Sequence, residues 1–441
     1  MKFFDRKQEL AKLKEIEEIS QNTAQFTIIT GRRRIGKTEL VRKAYEGTDF
    51  LYFFVARKAE ADLCAGFMEE IGSRLAVAIP DGVVTSFAKV FEYLMELSHT
   101  RHFTLFIDEF QDFLRVNPSI FSEMQNIWDR HKDKSKINLI VAGSVNTLMN
   151  KIFRDCKEPL FGRQTASIHV RPFAPSTIKE ILTHYCPEHS PLDLLALYAL
   201  TGGVAKYIEL FIDNKKYTQR QMLEAYFARD SFCLSEGKNL LIEEFGKDYG
   251  TYFSILTFVS EGANTRAEIE DKLGGKELSG YFRNLTEEYE LLAKQQPMFT
   301  GSNNRGVRYA IKDQFLRFWF RFVYKYAHFL EADANNRLLE IAERDFATFT
   351  GATLESYFME SLKEQGIFTR LGYWHDRKGE NQIDIIAVDE VEKNVQFIEV
   401  KRNERNIDLS ILRAKAEAMM KATKAFSDYD ISCRGLSPDD M

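Results

Sequence analysis

From about Phe26 to about Pro172, short unbroken apolar runs alternate with longer stretches of helical period. Residues 26–30, 50–55, 103–107 and 139–142 read as strands. Their hydrophobicity is continuous rather than alternating, as in parallel strands covered on both faces. The succession predicts an α/β domain built on a parallel sheet. From Pro175 to about Ala228 the pattern is helical, broken at Thr201-Gly202-Gly203-Val204. From about Asn239 to Tyr309 it predicts helices closed by a hairpin: residues 291–294, a polar turn over 301–306, then 307–310. Residues 314–327 are rich in aromatics at mixed spacings that suit a core. The stretch from about 343 to 441 returns to helix-strand-strand-helix.

Composition narrows the class. A length of 441 residues is a soft prior for about three domains. No apolar run approaches the ~18 residues of a membrane span, and the start of the chain has no apolar leader segment. The expectation is a cytoplasmic protein with no membrane partner. The five cysteines are an odd number with no C-x-x-C pair, which argues against a zinc site or a disulfide framework. A net charge of −5 gives no global attraction to nucleic acid, so DNA binding would need a local basic patch. His184 and His189 flank Cys186 without further zinc-spaced ligands and read as loop residues. The charged helix over 6–18 reads as a solvated amphipathic face.

Gly31-Arg32-Arg33-Arg34-Ile35-Gly36-Lys37-Thr38 fits G-x-x-x-x-G-K-[ST] between an expected strand and an expected helix that begins at Glu39. Glycines let backbone N–H groups curl around phosphate oxygens, and the helix start adds a favourable dipole. Lys37 brings a cation to the β/γ-phosphates, and Thr38 offers a hydroxyl to Mg²⁺. The strand at 105–107 ends in Asp108 and Glu109. Asp108 is suited to Mg²⁺, and Glu109 to polarising the attacking water. A third strand, 137–142, leads through Gly143 to Ser144, a candidate for the γ-phosphate or that water, with Asn146 a competitor.

These residues resemble the AAA+-related archaeal ATPase family, which lies near the STAND group of NTPases. Phe4-Asp5-Arg6-Lys7-Gln8-Glu9-Leu10 resembles its N-terminal box, placing Phe4 and Arg6 near the nucleotide base. The arginine-rich loop 31–38 and the Asp-Glu-Phe-Gln run 108–111 resemble its Walker motifs. Pro159-Leu160-Phe161-Gly162-Arg163 resembles its P-L-x-G-R segment, and Thr201–Tyr207 its lid motif, with Ala205 where the family has Pro. The resemblance implies ATP hydrolysis with ATP and Mg²⁺, and makes Arg163 the candidate arginine finger. It also implies a P-loop core over 1–174, a helical lid over 175–238, a winged helix over 239–325 and a nuclease-like α/β domain over 326–441.

In the third region, helices at 252–259, from 264 and over 278–289, followed by a ribbon, resemble a winged helix-turn-helix. Lys276, Ser279, Tyr281 and Arg283 would approach a DNA groove, with Arg305 and Arg308 on the wing. Glu277, Glu287, Glu288 and Glu290 work against a basic face. An internal packing module is the competing reading.

In the fourth region, Glu399 and Lys401 stand two apart on one strand and face one side. Asp384 lies on the preceding strand and Glu355 on an upstream helix, while a downstream helix carries Arg413 and Lys415. The order Glu…Asp…Glu-x-Lys resembles the PD-(D/E)xK nucleases, whose chemistry needs carboxylates for Mg²⁺ and a lysine near the attacking water. The competing reading is a surface ion pair on a nuclease-like fold. Three functions fit the whole: an ATP-dependent enzyme that cuts or grips DNA, a signalling switch with a protein partner or itself, and a DNA-binding regulator gated by ATP.

Overall fold

The computed structural model describes residues 1–79, 82, 84–245, 249–299, 307–376 and 381–441. Arg305 and the turn 301–306 lie outside the described residues, as does the side chain of Asn146. The chain divides into two compact units, residues 5–171 and residues 1–4 with 172–441.

The unit over 5–171 is a five-stranded parallel sheet in the order β2-β3-β4-β1-β5. Its strands are β1 Gln25–Thr30, β2 Phe50–Phe54, β3 Phe103–Asp108, β4 Ile137–Ala142 and β5 Ala166–His169. Its helices are α1 Lys7–Ser20, α2 Lys37–Ala44, α3 Glu60–Leu75, α4 Phe87–Leu97, α5 Phe113–Val116, α6 Ile120–His131 and α7 Asn146–Arg154. Every position of β1, β3 and β4 is buried, the reason their sequences are continuously apolar. Phe26, Ile28, Leu105, Ile107, Leu139 and Val141 pack with residues of α3, α4, α6 and α7 in one core. α1 lies against β1, β4 and α2, and buries Leu13, Ile16 and Ser20 beneath its charged face.

The other unit begins with helices α8 Pro175–Tyr185, α9 Pro191–Thr201, α10 Ala205–Asp213, α11 Gln219–Tyr226 and α12 Phe232–Phe245. The break expected at 201–204 separates α9 from α10, with Gly202 at φ +57 and Gly203 at φ +78. A Cβ on Gly203 would run into the Phe173 carbonyl, so the turn needs glycine there. His184 belongs to the last turn of α8 rather than to a loop, because helical hydrogen bonding continues to Cys186 N–H.

Next come α13 Tyr249–Ser260, α14 Arg266–Lys272, α15 Ser279–Arg283 and the antiparallel ribbon β6 Leu292–Gln295 with β7 Arg308–Ile311. Thr265 caps α14 by accepting from Glu268 N–H. The expected helix over 278–289 is two pieces, since a π-turn over Asn284–Glu288 follows α15. α16 Gln314–Phe322 buries Phe315, Phe318, Trp319, Phe320 and Phe322, so the aromatic run is core.

After α17 Ala327–Glu331, the long helix α18 Asn335–Glu364 leads to a four-stranded sheet ordered β11-β10-β9-β8. Its strands are β8 Arg370–His375, β9 Gln382–Asp389, β10 Asn394–Val400 and β11 Asp430–Leu436, with α19 Leu409–Thr423 before the last. The expected helix-strand-strand-helix thus gains a strand at each edge. β8 pairs antiparallel with β9, as β9 does with β10, and β11 joins β10 in parallel. Ile383, Ile386, Val395, Phe397, Leu412 and Met419 form its core.

Candidate functional site

The loop between β1 and α2 holds two glycines with backbone angles that side chains resist. Gly31 has φ +145, and a Cβ there would stand 2.5 Å from the Val170 carbonyl oxygen. Gly36 has φ +98 and occupies the N-cap of α2. The Lys37 side chain is buried, and its ammonium donates to the carbonyls of Gly31 (2.8 Å) and Arg32 (3.2 Å). It thereby curls back over the loop whose amides would meet phosphate. Ile35 is buried, Glu39 is exposed, and Arg32, Arg33 and Arg34 are half-buried. Arg6, also buried, donates to the Ile35 carbonyl at 3.3 Å and pairs with Glu9. Phe4 lies in the other unit, packed on His184 and Tyr185.

Thr38 Oγ1 donates to Asp108 Oδ2 at 2.6 Å, and Tyr52 Oη donates to the same oxygen at 3.3 Å. Burial pushes the Asp108 carboxyl up and the Glu109 charge adds to this, while the Thr38 hydroxyl and Lys37 oppose it. Buried Asp108 and half-buried Thr38 form a pair of hard oxygen donors, the chemistry Mg²⁺ selects. The residues present fit that ion.

Glu109 sits in the left-handed region at φ +54. Its Oε2 accepts from Ser144 Oγ at 2.7 Å and from Gln111 Nε2 at 2.6 Å. Lys37, Thr38, Asp108, Glu109 and Ser144 thus gather at the carboxyl ends of β1, β3 and β4. That is where open α/β sheets place ligands. Sequence reading passed over Tyr52 and gave Gln111 only as part of a motif. Tyr52 stands on the half-exposed face of β2, and the unbroken apolar run of that strand gave no signal for it.

Arg163 is elsewhere. The Thr165 amide donates to the Phe26 carbonyl, so Arg163 precedes β5 near the start of β1. The phosphate loop follows Thr30 at the other end, about 13 Å away at ~3.3 Å per residue. Arg163 is held by Asp129 at 2.8 Å and by the Pro159 carbonyl at 2.6 Å.

In the C-terminal sheet, Lys401 Nζ stands 3.4 Å from Asp384 Oδ2 and 3.2 Å from Glu399 Oε1. Lys415 from α19 approaches Glu399 Oε1 at 3.5 Å, and the Val400 amide donates to Asp384 Oδ2 at 2.9 Å. Glu399 is buried, and its Oε2 has no hydrogen-bond partner among the described residues. Glu355 on α18 is pushed up to about 7, first by burial and then by the Asp384 charge, with Lys401 and Arg317 opposing. Burial lowers Lys401, but Asp384 and Glu399 together outweigh it and hold the ammonium charged. Among the described residues no three His, Cys, Asp or Glu side chains converge on one point fit for a metal ion. The cluster is two carboxylates and two ammoniums, with Glu355 coupled to it through charge.

A glycine-bounded loop between a strand and a helix, facing a strand that ends in Asp-Glu, on a sheet ordered 2-3-4-1-5, defines a P-loop ATPase core. Residues 3–211 match the model of an ATPase domain found predominantly in Archaea, and residues 319–417 match a family of archaeal and bacterial proteins of unknown function. An uncharacterized protein of Methanocaldococcus jannaschii is 29% identical over 409 residues, which span 90% of this chain and 87% of that one. The Walker-type ATPase of Pyrococcus abyssi has the same fold, with a TM-score of 0.55 and 20% identity over 72% of this chain and 96% of that chain. The ORC2 protein of Aeropyrum pernix, solved with ADPNP and ADP, is more distant: TM-score 0.45 and 12% identity over 77% of this chain and 95% of that one. No helix among the described residues is long and apolar enough to cross a membrane.

Proposed function

We propose that the protein is an Mg²⁺-dependent ATPase whose nucleotide state governs a C-terminal half that binds and cuts DNA. The observation that carries the ATPase reading is the convergence of Lys37, Thr38, Asp108, Glu109 and Ser144 on one edge of the sheet. Backbone amides of residues 31–38 would cradle the phosphates, with Lys37 released from the loop carbonyls to the β/γ-oxygens. Mg²⁺, when bound between Thr38 and Asp108, would neutralise phosphate charge. Glu109 would take the proton of the attacking water, and Ser144 would orient that water or the γ-phosphate. Arg163 lies too far from its own loop to stabilise its own γ-phosphate, so its guanidinium would serve a second copy of the chain.

At the C-terminus, Asp384 and Glu399 would hold a divalent cation and Lys401 would face the attacked phosphodiester. The open oxygen on buried Glu399 supports that use. A second reading rests on the ammoniums already lodged on both carboxylates. A structural ion pair of that kind would leave a signalling ATPase with a protein partner.

Two assays test these readings. Glu109→Gln is expected to bind ATP as wild type does and to stop hydrolysis, while Lys37→Ala loses binding or turnover. Normal hydrolysis by Glu109→Gln would remove the general-base assignment. Linear and supercoiled DNA with Mg²⁺ or Mn²⁺, with and without ATP, is expected to be cut by wild type but not by Asp384→Ala or Lys401→Ala. No cleavage under any of these conditions would leave the second reading.

A further inference from the structure

Gln111 is fully enclosed, with 1% of its surface exposed, in the short turn after β3. Its amide nitrogen donates to Glu109 Oε2 at 2.6 Å. Its own Oε1 is buried without a hydrogen-bond partner among the described residues. A carboxylate only accepts, so the amide must turn its N–H₂ to Glu109 and its oxygen away. That oxygen rests where residue 143 has no side chain: a Cβ on Gly143 would collide with Gln111 Oε1 and with Met149 Sδ. The fold therefore leaves this buried acceptor without a partner among the described residues, and needs glycine at 143, with this one amide held on this one carboxylate.

Ser144 donates to the same oxygen at 2.7 Å. A hydroxyl has a single proton to donate. Once Ser144 turns to a phosphate oxygen or to the attacking water, it can no longer donate to Glu109. Gln111 has no such alternative, because its carboxamide is walled in. From this asymmetry we infer that Gln111 is the positioning residue of the hydrolytic step: it holds the Glu109 carboxylate by Oε2 when Ser144 is drawn to nucleotide, leaving Oε1 to face the water. The inference rests on the reading of Glu109 as general base.

The test compares Gln111→Ala, Gln111→Met and Glu109→Gln in steady-state ATP turnover, with binding of a fluorescent ATP analogue measured alongside. Gln111→Met keeps the length of the side chain and removes the donor. Both Gln111 variants are expected to lose about tenfold to a hundredfold in kcat, the scale of a misaligned catalytic group. KM and analogue affinity should stay within about twofold of wild type. A variant that merely failed to fold would lose analogue binding as well, so the split between kcat and affinity separates positioning from structure. Wild-type kcat in Gln111→Met would overturn the inference. Wild-type kcat in Glu109→Gln would instead remove the general-base reading beneath it.

Discussion

Glu355 surrenders its charge near neutral pH because it is buried on α18 beside Asp384. The folded chain holds its proton up to about pH 7, whereas an exposed glutamate releases it near 4.5. Between these values the folded state binds the extra proton, so stability falls as pH rises through the window. At about 1.4 kcal/mol per pKa unit, the part of this window between pH 5 and pH 8 is worth about 2–3 kcal/mol. Urea denaturation at pH 5 and pH 8 should show wild type losing stability on that scale and Glu355→Gln losing little. Equal losses in both proteins would assign the pH dependence to other groups. Residues of this kind divide by how local their signal is. Lys37, Thr38, Asp108 and Glu109 were legible because loop and strand end each carry their chemistry in consecutive positions. Tyr52 was not, and Gln111 showed only as part of a motif, because their roles depend on which oxygen stands opposite in the folded chain.

Helix packing in the C-terminal unit turns on one glycine. Gly237 lies within α12 against the indole of Trp319, with a would-be Cβ 2.7 Å from Cε2. The indole cannot retreat freely, since its N–H donates to the Leu234 carbonyl at 2.9 Å. In an open helix Gly→Ala stabilises by about 0.5–1 kcal/mol. Here the added methyl should reverse the sign and cost about 1–3 kcal/mol through overpacking. Thermal or urea denaturation of Gly237→Ala checks this, and a gain in stability would mean that α16 shifts without penalty. The same physics explains which elements could be read from sequence. β1, β3 and β4 are buried throughout and announce themselves as apolar runs. β5 buries only Ile168, and β11 shows most of its residues to solvent. At these two edges the strands have fewer neighbours to hide against, so their sequences look like loop.

For the molecule as a whole, the placement of Arg163 sets an expectation about partners. An arginine finger is worth ~10³–10⁵ in rate. Lys37→Ala lacks a working loop but keeps the arginine, and Arg163→Ala has the reverse defect. Each alone should be nearly inactive, and mixing them should restore turnover as the two copies complement one another. A mixture as inactive as its components, or full activity of Arg163→Ala at any dilution, would rule out service in trans. DNA contact makes a separate demand. With a net charge of −5, binding must come from local cations such as Lys276, Arg283, Lys401 and Lys415. Affinity for a duplex should therefore fall steeply with salt, with a log–log slope of about −0.9 per phosphate neutralised. A flat salt response would favour a protein partner.

β1 runs between β4 and β5, hydrogen-bonded on both sides and buried along its length, and it opens directly into the phosphate loop. The same short peptide therefore holds two kinds of clock. Amides of the strand can exchange with deuterated solvent only when the whole unit opens. Those of the loop stand ready to be shielded by bound phosphate. One fragment in an exchange experiment would report global opening and nucleotide occupancy together, each serving as the internal standard for the other.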